Sequence, residues 1–175
     1  MFKYRRKISF QKLDTEFVQI AKKIEELKLP KDFLQFILFT ISELFTNVKE
    51  HSKAKEVTFQ IGVNKNCLIK VTDNGVGLRK SYLSKKIFPK DDVAAIEFAL
   101  SGLSTKDPAE RGFGLYTIRK FTEALRGETK IGTGSALAII GKDKIQLKKL
   151  SPRKKGVSVE VKTKIKNINF YKIIK

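Results

Sequence analysis

Apolar residues recur at helical spacing in two neighbouring segments near the start of the chain. In residues 13–29 they fall every third or fourth position, which is typical of a helix with one buried face. Pro30 ends this segment, because proline cannot donate the hydrogen bond that a helix interior requires. Asp32 then opens a second helix, to about residue 51, whose apolar residues occupy much of its circumference. We expect this second helix at the centre of the core.

Alternating apolar and polar residues predict strands elsewhere. Residues 3–10 form one candidate, and residues 57–63 and 67–72 flank a short polar turn, which predicts a hairpin. Three further strands are expected near the C-terminus, over residues 136–140, 144–149 and 157–165, with a basic turn between the last two.

Between the two groups of strands the pattern predicts helices over residues 92–100 and 113–125, separated by a polar, irregular segment at 101–112. A loop of this length is more often a functional lid than a plain connector. The order of elements favours one domain over residues 1–175, built as a two-layer α/β sandwich in which helices cover one face of a mixed sheet.

The charge of the chain adds a question about partners. There are 37 Lys and Arg against 18 Asp and Glu, a formal net charge of +19, and residues 142–175 hold 12 basic and 2 acidic residues. Such a field attracts nucleic acid, anionic membrane or an acidic protein. A lysine-rich composition that merely fills exposed positions explains the charge as well.

Compartment is predicted from cysteine content and the lengths of apolar runs. Cys67 is the only cysteine, so no internal disulfide forms and nothing indicates an oxidising compartment. The longest apolar run, residues 136–140, is far shorter than the roughly 20 residues that a membrane span needs. These features predict a cytoplasmic protein.

Two polar residues interrupt the predicted central helix. Glu43 and Asn47 lie four positions apart and therefore share a face. An amide oxygen suits Mg²⁺, which takes phosphate oxygens for most of its other ligands, and a carboxylate one turn earlier can act as a general base. A solvated helix edge is the alternative.

Glycines follow a predicted strand and precede a predicted helix. After residue 72 comes Asp73, whose carboxylate can accept a hydrogen bond from the amine of adenine, with Gly75 and Gly77 allowing close approach of the backbone. An ordinary turn has the same composition. Gly112 and Gly114 open the helix at 113–125, where exposed N–H groups favour phosphate.

Together these segments resemble the GHKL superfamily of ATP-binding domains. Residues 43–52, ELFTNVKEHS, resemble its N box, E-L-x-x-N-x-x-x-H; residues 73–78, DNGVGL, resemble its first glycine box. Residues 104–115 are similar to its lid and second glycine box. The motifs stand in the family's order, and the resemblance covers residues 31–165.

The resemblance implies a Bergerat-type fold that binds ATP with Mg²⁺. Asn47 would hold the metal, and Glu43 would be the candidate general base. Asp73 would contact adenine beside Gly75 and Gly77. The implied phosphate contacts come from the lid and second glycine box: Lys106, Arg111, Gly112 and Gly114. The family's later strand often begins Gly-Thr, whereas here Gly156 precedes Val157, so that polar contact is either missing or supplied by Ser158.

Two activities remain open. His51 is the single histidine and lies within the N box, so autophosphorylation by the usual in-chain route is not expected. Members that lack a following transducer domain resemble anti-sigma factor serine kinases, which implies an ATP-dependent kinase or switch acting on a partner protein. The other reading is a nucleotide-gated module whose basic C-terminal region grips nucleic acid, with Tyr4, Phe170 and Tyr171 as stacking candidates. The sequence leaves open whether the chain forms a homodimer.

Overall fold

Five strands form one sheet in the computed structural model, which describes residues 1–103 and 114–174. The strands are β1 (Phe2–Ser9), β2 (Glu56–Val63), β3 (Asn66–Asp73), β4 (Glu128–Ile140) and β5 (Ile145–Lys164). Their order is β1-β2-β3-β5-β4, and every pairing among the described strands is antiparallel. The two-layer α/β sandwich is confirmed, but the sheet is antiparallel and not mixed. Tight turns join β2 to β3 and β4 to β5, and such turns connect only antiparallel strands.

Six α-helices accompany the sheet within the described part of the chain. They are α1 (Leu13–Glu25), α2 (Lys31–Asn47), α3 (Leu78–Ser84), α4 (Asp92–Leu100), α5 (Gly114–Leu125) and α6 (Phe170–Ile174). The pattern of the sequence predicted α1, α2, α4 and α5. It did not predict α3 and α6, which are too short to show a helical period. No helix among the described residues is long and apolar enough to cross a membrane.

The core lies between α2 and one face of the sheet. Phe33, Phe36 and Ile37 of α2 are fully buried, as are Phe59 of β2 and Ile69 of β3. In β2 and β3 buried residues alternate with half-buried ones, so helices cover one face. The central position predicted for α2 is therefore observed.

The α-helical part of α2 ends at Asn47, earlier than expected. Residues Val48–Ser52 continue as one π-helical turn, and Lys53, with φ of 53°, ends it in the left-handed conformation. Single π-helical turns are often found at functional sites. Here the turn carries Ser52 to the end of β3.

Strand β5 is continuous where the sequence predicted two strands and a basic turn. Within residues 145–157 the paired positions, 145–149, 154 and 157, pair with β4 alone, since β3 reaches only as far as Ser158. Pro152 therefore sits in a two-stranded extension beside the main sheet, where a missing N–H leaves no inner strand unpaired. Register shifts next to Gly134 accommodate the irregular stretch.

Candidate functional site

A largely apolar pocket opens between the end of α2, the loop after β3, and helices α3 to α5. Its walls are aliphatic and aromatic, and three of the predicted site residues, Asn47, Asp73 and Gly77, line it. Lining side chains include Leu44, Val71, Leu78, Tyr82, Leu115 and Val159. An apolar cleft with a few placed polar groups is the usual form of a small-molecule site.

Asp73, at the end of β3, is 5% exposed and bonded on both carboxylate oxygens. Oδ1 accepts from Ser52 Oγ at 2.8 Å and from the Gly75 N–H at 2.8 Å, while Oδ2 accepts from the Val157 N–H at 3.2 Å. Burial raises the pKa of this carboxyl, although these hydrogen bonds and the nearby charge of Lys154 act in the opposite direction. The carboxylate is thus held in a fixed orientation at the pocket wall.

Ser52 is a site residue that the sequence reasoning missed. Besides its bond to Asp73, its Oγ accepts from the Ala54 N–H at 3.1 Å, and its carbonyl accepts from the Val76 N–H at 2.8 Å. It therefore fastens the end of the π turn to the glycine loop. The only sequence signal is its place at the end of the N-box segment, and the contact with Asp73 spans 21 positions.

Gly75 lies against Ser52 more closely than any other residue could. A Cβ at position 75 would stand 2.0 Å from the Ser52 carbonyl oxygen and 2.2 Å from its Oγ. Gly77, with φ of 84°, follows as the residue before α3 and also lines the pocket. Both glycines of the predicted loop are therefore required by contacts or conformation.

Thr133 of β4 is a second residue that was missed. Its Oγ1 donates to the Gly156 carbonyl at 3.1 Å and accepts from the Leu78 N–H at 3.1 Å, and the side chain is 1% exposed. Ser158 does not supply the expected polar contact, because its Oγ lies 2.9 Å from Thr72 Oγ1 on the opposite face of the sheet. At this position the Val157 N–H bonds to Asp73 instead.

Glu43 and Gly114 meet at Asn47, which lines the pocket. A Cβ on Gly114 would stand 2.4 Å from Glu43 Oε2 and 3.4 Å from Asn47 Nδ2. Within the described residues Asn47 Nδ2 is buried and lacks a hydrogen-bond partner. A buried amide in this state is costly unless a ligand satisfies it. Lys106, Arg111 and Gly112 lie outside the described residues.

Comparison with known families agrees with this geometry. The family model for histidine kinase-, DNA gyrase B- and HSP90-like ATPases matches residues 35–167. The chain belongs to this family. The match to the GHKL-type ATPase domain runs from within α2 to just after β5, and ATP binding follows from membership of this family. No curated protein matches the chain significantly.

Proposed function

We propose that this GHKL domain uses Mg-ATP as a protein kinase or switch that acts on a partner protein in trans, with slow basal turnover. The observation that carries the proposal is one pocket lined both by a fixed buried carboxylate, Asp73, and by Asn47, whose buried Nδ2 lacks a partner within the described residues. A nucleoside triphosphate needs this pairing of an adenine acceptor with groups for metal and phosphate.

The adenine end is supported by the acceptor capacity of Asp73. A carboxylate offers about four lone-pair sites. Protein donors occupy two on Oδ1 and one on Oδ2. The remaining site on Oδ2 can accept from the exocyclic amine of adenine, while the apolar walls formed by Val71, Leu78 and Val159 contact the ring.

The phosphate end is supported by Asn47, Glu43 and Gly114. Asn47 lines the pocket, and a rotation of its amide about χ2 would present the oxygen there as a ligand for Mg²⁺. The metal, when bound, would neutralise charge on the phosphate oxygens. Glu43 reaches the same spot from one turn earlier, which suits a base that takes a proton from the attacking hydroxyl. The lack of a side chain on Gly114 leaves both groups accessible.

Action on a partner is supported by the position of His51. This histidine lines the pocket and its Nε2 lies 3.5 Å from the Glu50 carboxylate, so it belongs to the nucleotide site. We therefore expect the phosphoacceptor on a second protein, as the resemblance to anti-sigma factor serine kinases implies.

The test combines binding and transfer. Mg-ATP affinity is measured for the parent and for Asp73→Asn, which places a donor toward the adenine amine; we expect a loss of about 1–3 kcal/mol. γ-Labelled ATP is then incubated with the chain and the product of the neighbouring gene. Label on that product, or a nucleotide-dependent change in its affinity, supports the proposal. Unchanged affinity in folded Asp73→Asn contradicts the adenine contact.

A second candidate function, a nucleotide-gated module that grips nucleic acid, is favoured by one observation. The part of β4 after Gly134 and the part of β5 up to Lys154, with which Gly134 pairs, form an extended arm. Residues 142–155, at and near this arm, hold seven Lys and Arg and one acid. The proposed stacking residues give less support, because Phe170 is 8% exposed and stacks on Phe121. Steep salt dependence of oligonucleotide binding would favour this candidate.

A further inference from the structure

A second cavity lies on the other side of the glycine loop from the nucleotide pocket. It encloses about 850 Å³ between the loop 74–77, helix α3 and the residues 153–156 of β5. We call it the outer groove. Gly77 lines both cavities, so the loop forms a thin wall between them.

The outer groove is strongly basic. Seven of its lining residues are Lys or Arg, namely Lys53, Lys55, Arg79, Lys80, Arg153, Lys154 and Lys155. The single acid among them, Asp92, accepts from Arg153 Nη2 at 3.0 Å and from Ser135. Burial acts to raise the pKa of Asp92, but the bonds from Ser135 and the charges of Arg153 and Arg79 outweigh it and lower the pKa. Asp92 therefore stays ionised and serves to position Arg153.

The lysines of the groove are available to a ligand. Within residues 1–103 and 114–174, Lys53, Lys80 and Lys155 are exposed, and no carboxylate lies within 4.0 Å of their ammonium groups. Arg79 is held in place, because its guanidinium donates to the carbonyls of Pro89 and Lys90 at 3.3 and 3.0 Å. A fixed guanidinium among free ammonium groups favours binding of a carboxylate or phosphate.

The apolar part of the groove indicates which of the two anions, carboxylate or phosphate, the groove favours. Val76 and Leu83 line it and keep 36% and 39% of their surface exposed, while the described lining contains no aromatic ring on which a base could stack. Aliphatic side chains beside cations fit a peptide that carries both carboxylates and an aliphatic anchor.

We propose that the outer groove docks an acidic, leucine-bearing segment of a partner protein. This rests on the proposed action on a partner, and it assigns the contact to a surface separate from the nucleotide pocket. A partner docked there would contact the glycine loop 74–77 from the outside. The other side of this loop faces the nucleotide pocket, where the Gly75 N–H donates to Asp73.

The test uses fluorescence anisotropy on the full chain with three labelled probes. They are a short peptide of glutamates and leucines, the same peptide with serine for leucine, and an oligothymidylate of equal net charge. The groove variant is Lys80→Glu with Lys155→Glu. Its matched control is Lys22→Glu with Lys28→Glu, an equal charge change at exposed positions in and after α1.

We expect the leucine peptide to bind most tightly at physiological ionic strength, and the groove variant to weaken it by about tenfold or more. The control variant should bind it as the parent does. Equal loss in both variants would show that binding follows net charge alone, and tighter binding of the oligothymidylate would assign the groove to nucleic acid; either result overturns the proposal. Mg-ATP affinity is measured separately without peptide, so a failure of the nucleotide site is distinguished.

Discussion

Gly75 in the glycine loop lies so close to Ser52, at the end of the π turn, that one added carbon atom would prevent the contact. Replacing Gly75 with alanine would place a Cβ 2.0 Å from the Ser52 carbonyl oxygen, which is part of the backbone and cannot rotate away. The loop must then shift and release the bonds from Gly75 and Val76. We expect the free energy of unfolding to fall by about 1–3 kcal/mol, as in other overpacked sites, together with a loss of Mg-ATP affinity measured by calorimetry.

Gly62→Ala is the matched control for this substitution. Nothing lies within 4 Å of a Cβ at position 62 in β2, so denaturant unfolding should change by less than about 0.5 kcal/mol. Parent-like affinity and stability in Gly75→Ala would show that the loop does not depend on this close approach.

The ionisation of Asp73 gives a prediction about pH. Burial raises its pKa, so the carboxylate that we propose accepts from adenine is protonated at a higher pH than an ordinary aspartate is. Adenosine affinity should therefore fall as the pH drops through this raised pKa, and the Asp73→Asn variant should lack this dependence. Adenosine is the ligand of choice because it has no phosphate to titrate.

The raised pKa of Asp73 affects folding stability and adenosine binding in opposite directions as the pH falls. A group whose pKa is higher in the folded state contributes stability that is present at low pH and lost as the pH rises through the folded value. Weaker adenosine binding at low pH thus cannot come from unfolding caused by Asp73. An affinity that does not change with pH in the parent would contradict a role for the carboxylate.

Whole elements were predictable where their period is long enough to be read. Helix α4 was predicted at its observed bounds, Asp92–Leu100, and β2 and β3 within a residue or two. The glycine box and N box were identified from local sequence. Ser52 and Thr133 were missed because their roles depend on contacts across 21 and 55 positions, which no local pattern encodes. The long β5 was missed because proline and lysines obscure its alternation.

Thr133 allows a test of how β4 holds the nucleotide pocket together. Thr133→Val keeps the shape but removes the hydroxyl that joins the Leu78 N–H to the Gly156 carbonyl. Both groups would be left unpaired in a buried place, so we expect a loss of about 1–3 kcal/mol in the free energy of unfolding and weaker Mg-ATP binding.

Thr72→Val provides the comparison, because its hydroxyl pairs with Ser158 on the half-buried face of the sheet. It should leave Mg-ATP affinity unchanged. If both valine variants bind Mg-ATP like the parent, then Thr133 supports the sheet but not the pocket.

In the molecule as a whole, the positive charge is concentrated away from the nucleotide pocket. The formal net charge is +19, yet within the described residues the walls of the nucleotide pocket contain no Lys or Arg. Clusters of basic side chains lie instead in the outer groove and on the arm of β4 and β5. A field of this kind speeds the approach of an acidic partner and weakens with salt.

This distribution predicts slow turnover by the purified chain. Phosphoryl transfer depends on cations fixed around the γ-phosphate, and in the proposed site they would come from Mg²⁺ on Asn47, from Lys106 and Arg111, or from a partner. We expect basal ATP hydrolysis well below the ordinary enzyme range of about 1–10³ s⁻¹.

Asn47→Ala should abolish the Mg²⁺-dependent part of nucleotide binding. Glu43→Ala should bind almost as the parent does and slow any chemistry by about 10²–10⁴-fold. Calorimetry with and without Mg²⁺, beside a phosphate-release assay, separates the two roles; fast turnover without a partner, or parent-like rates in Glu43→Ala, would contradict this assignment.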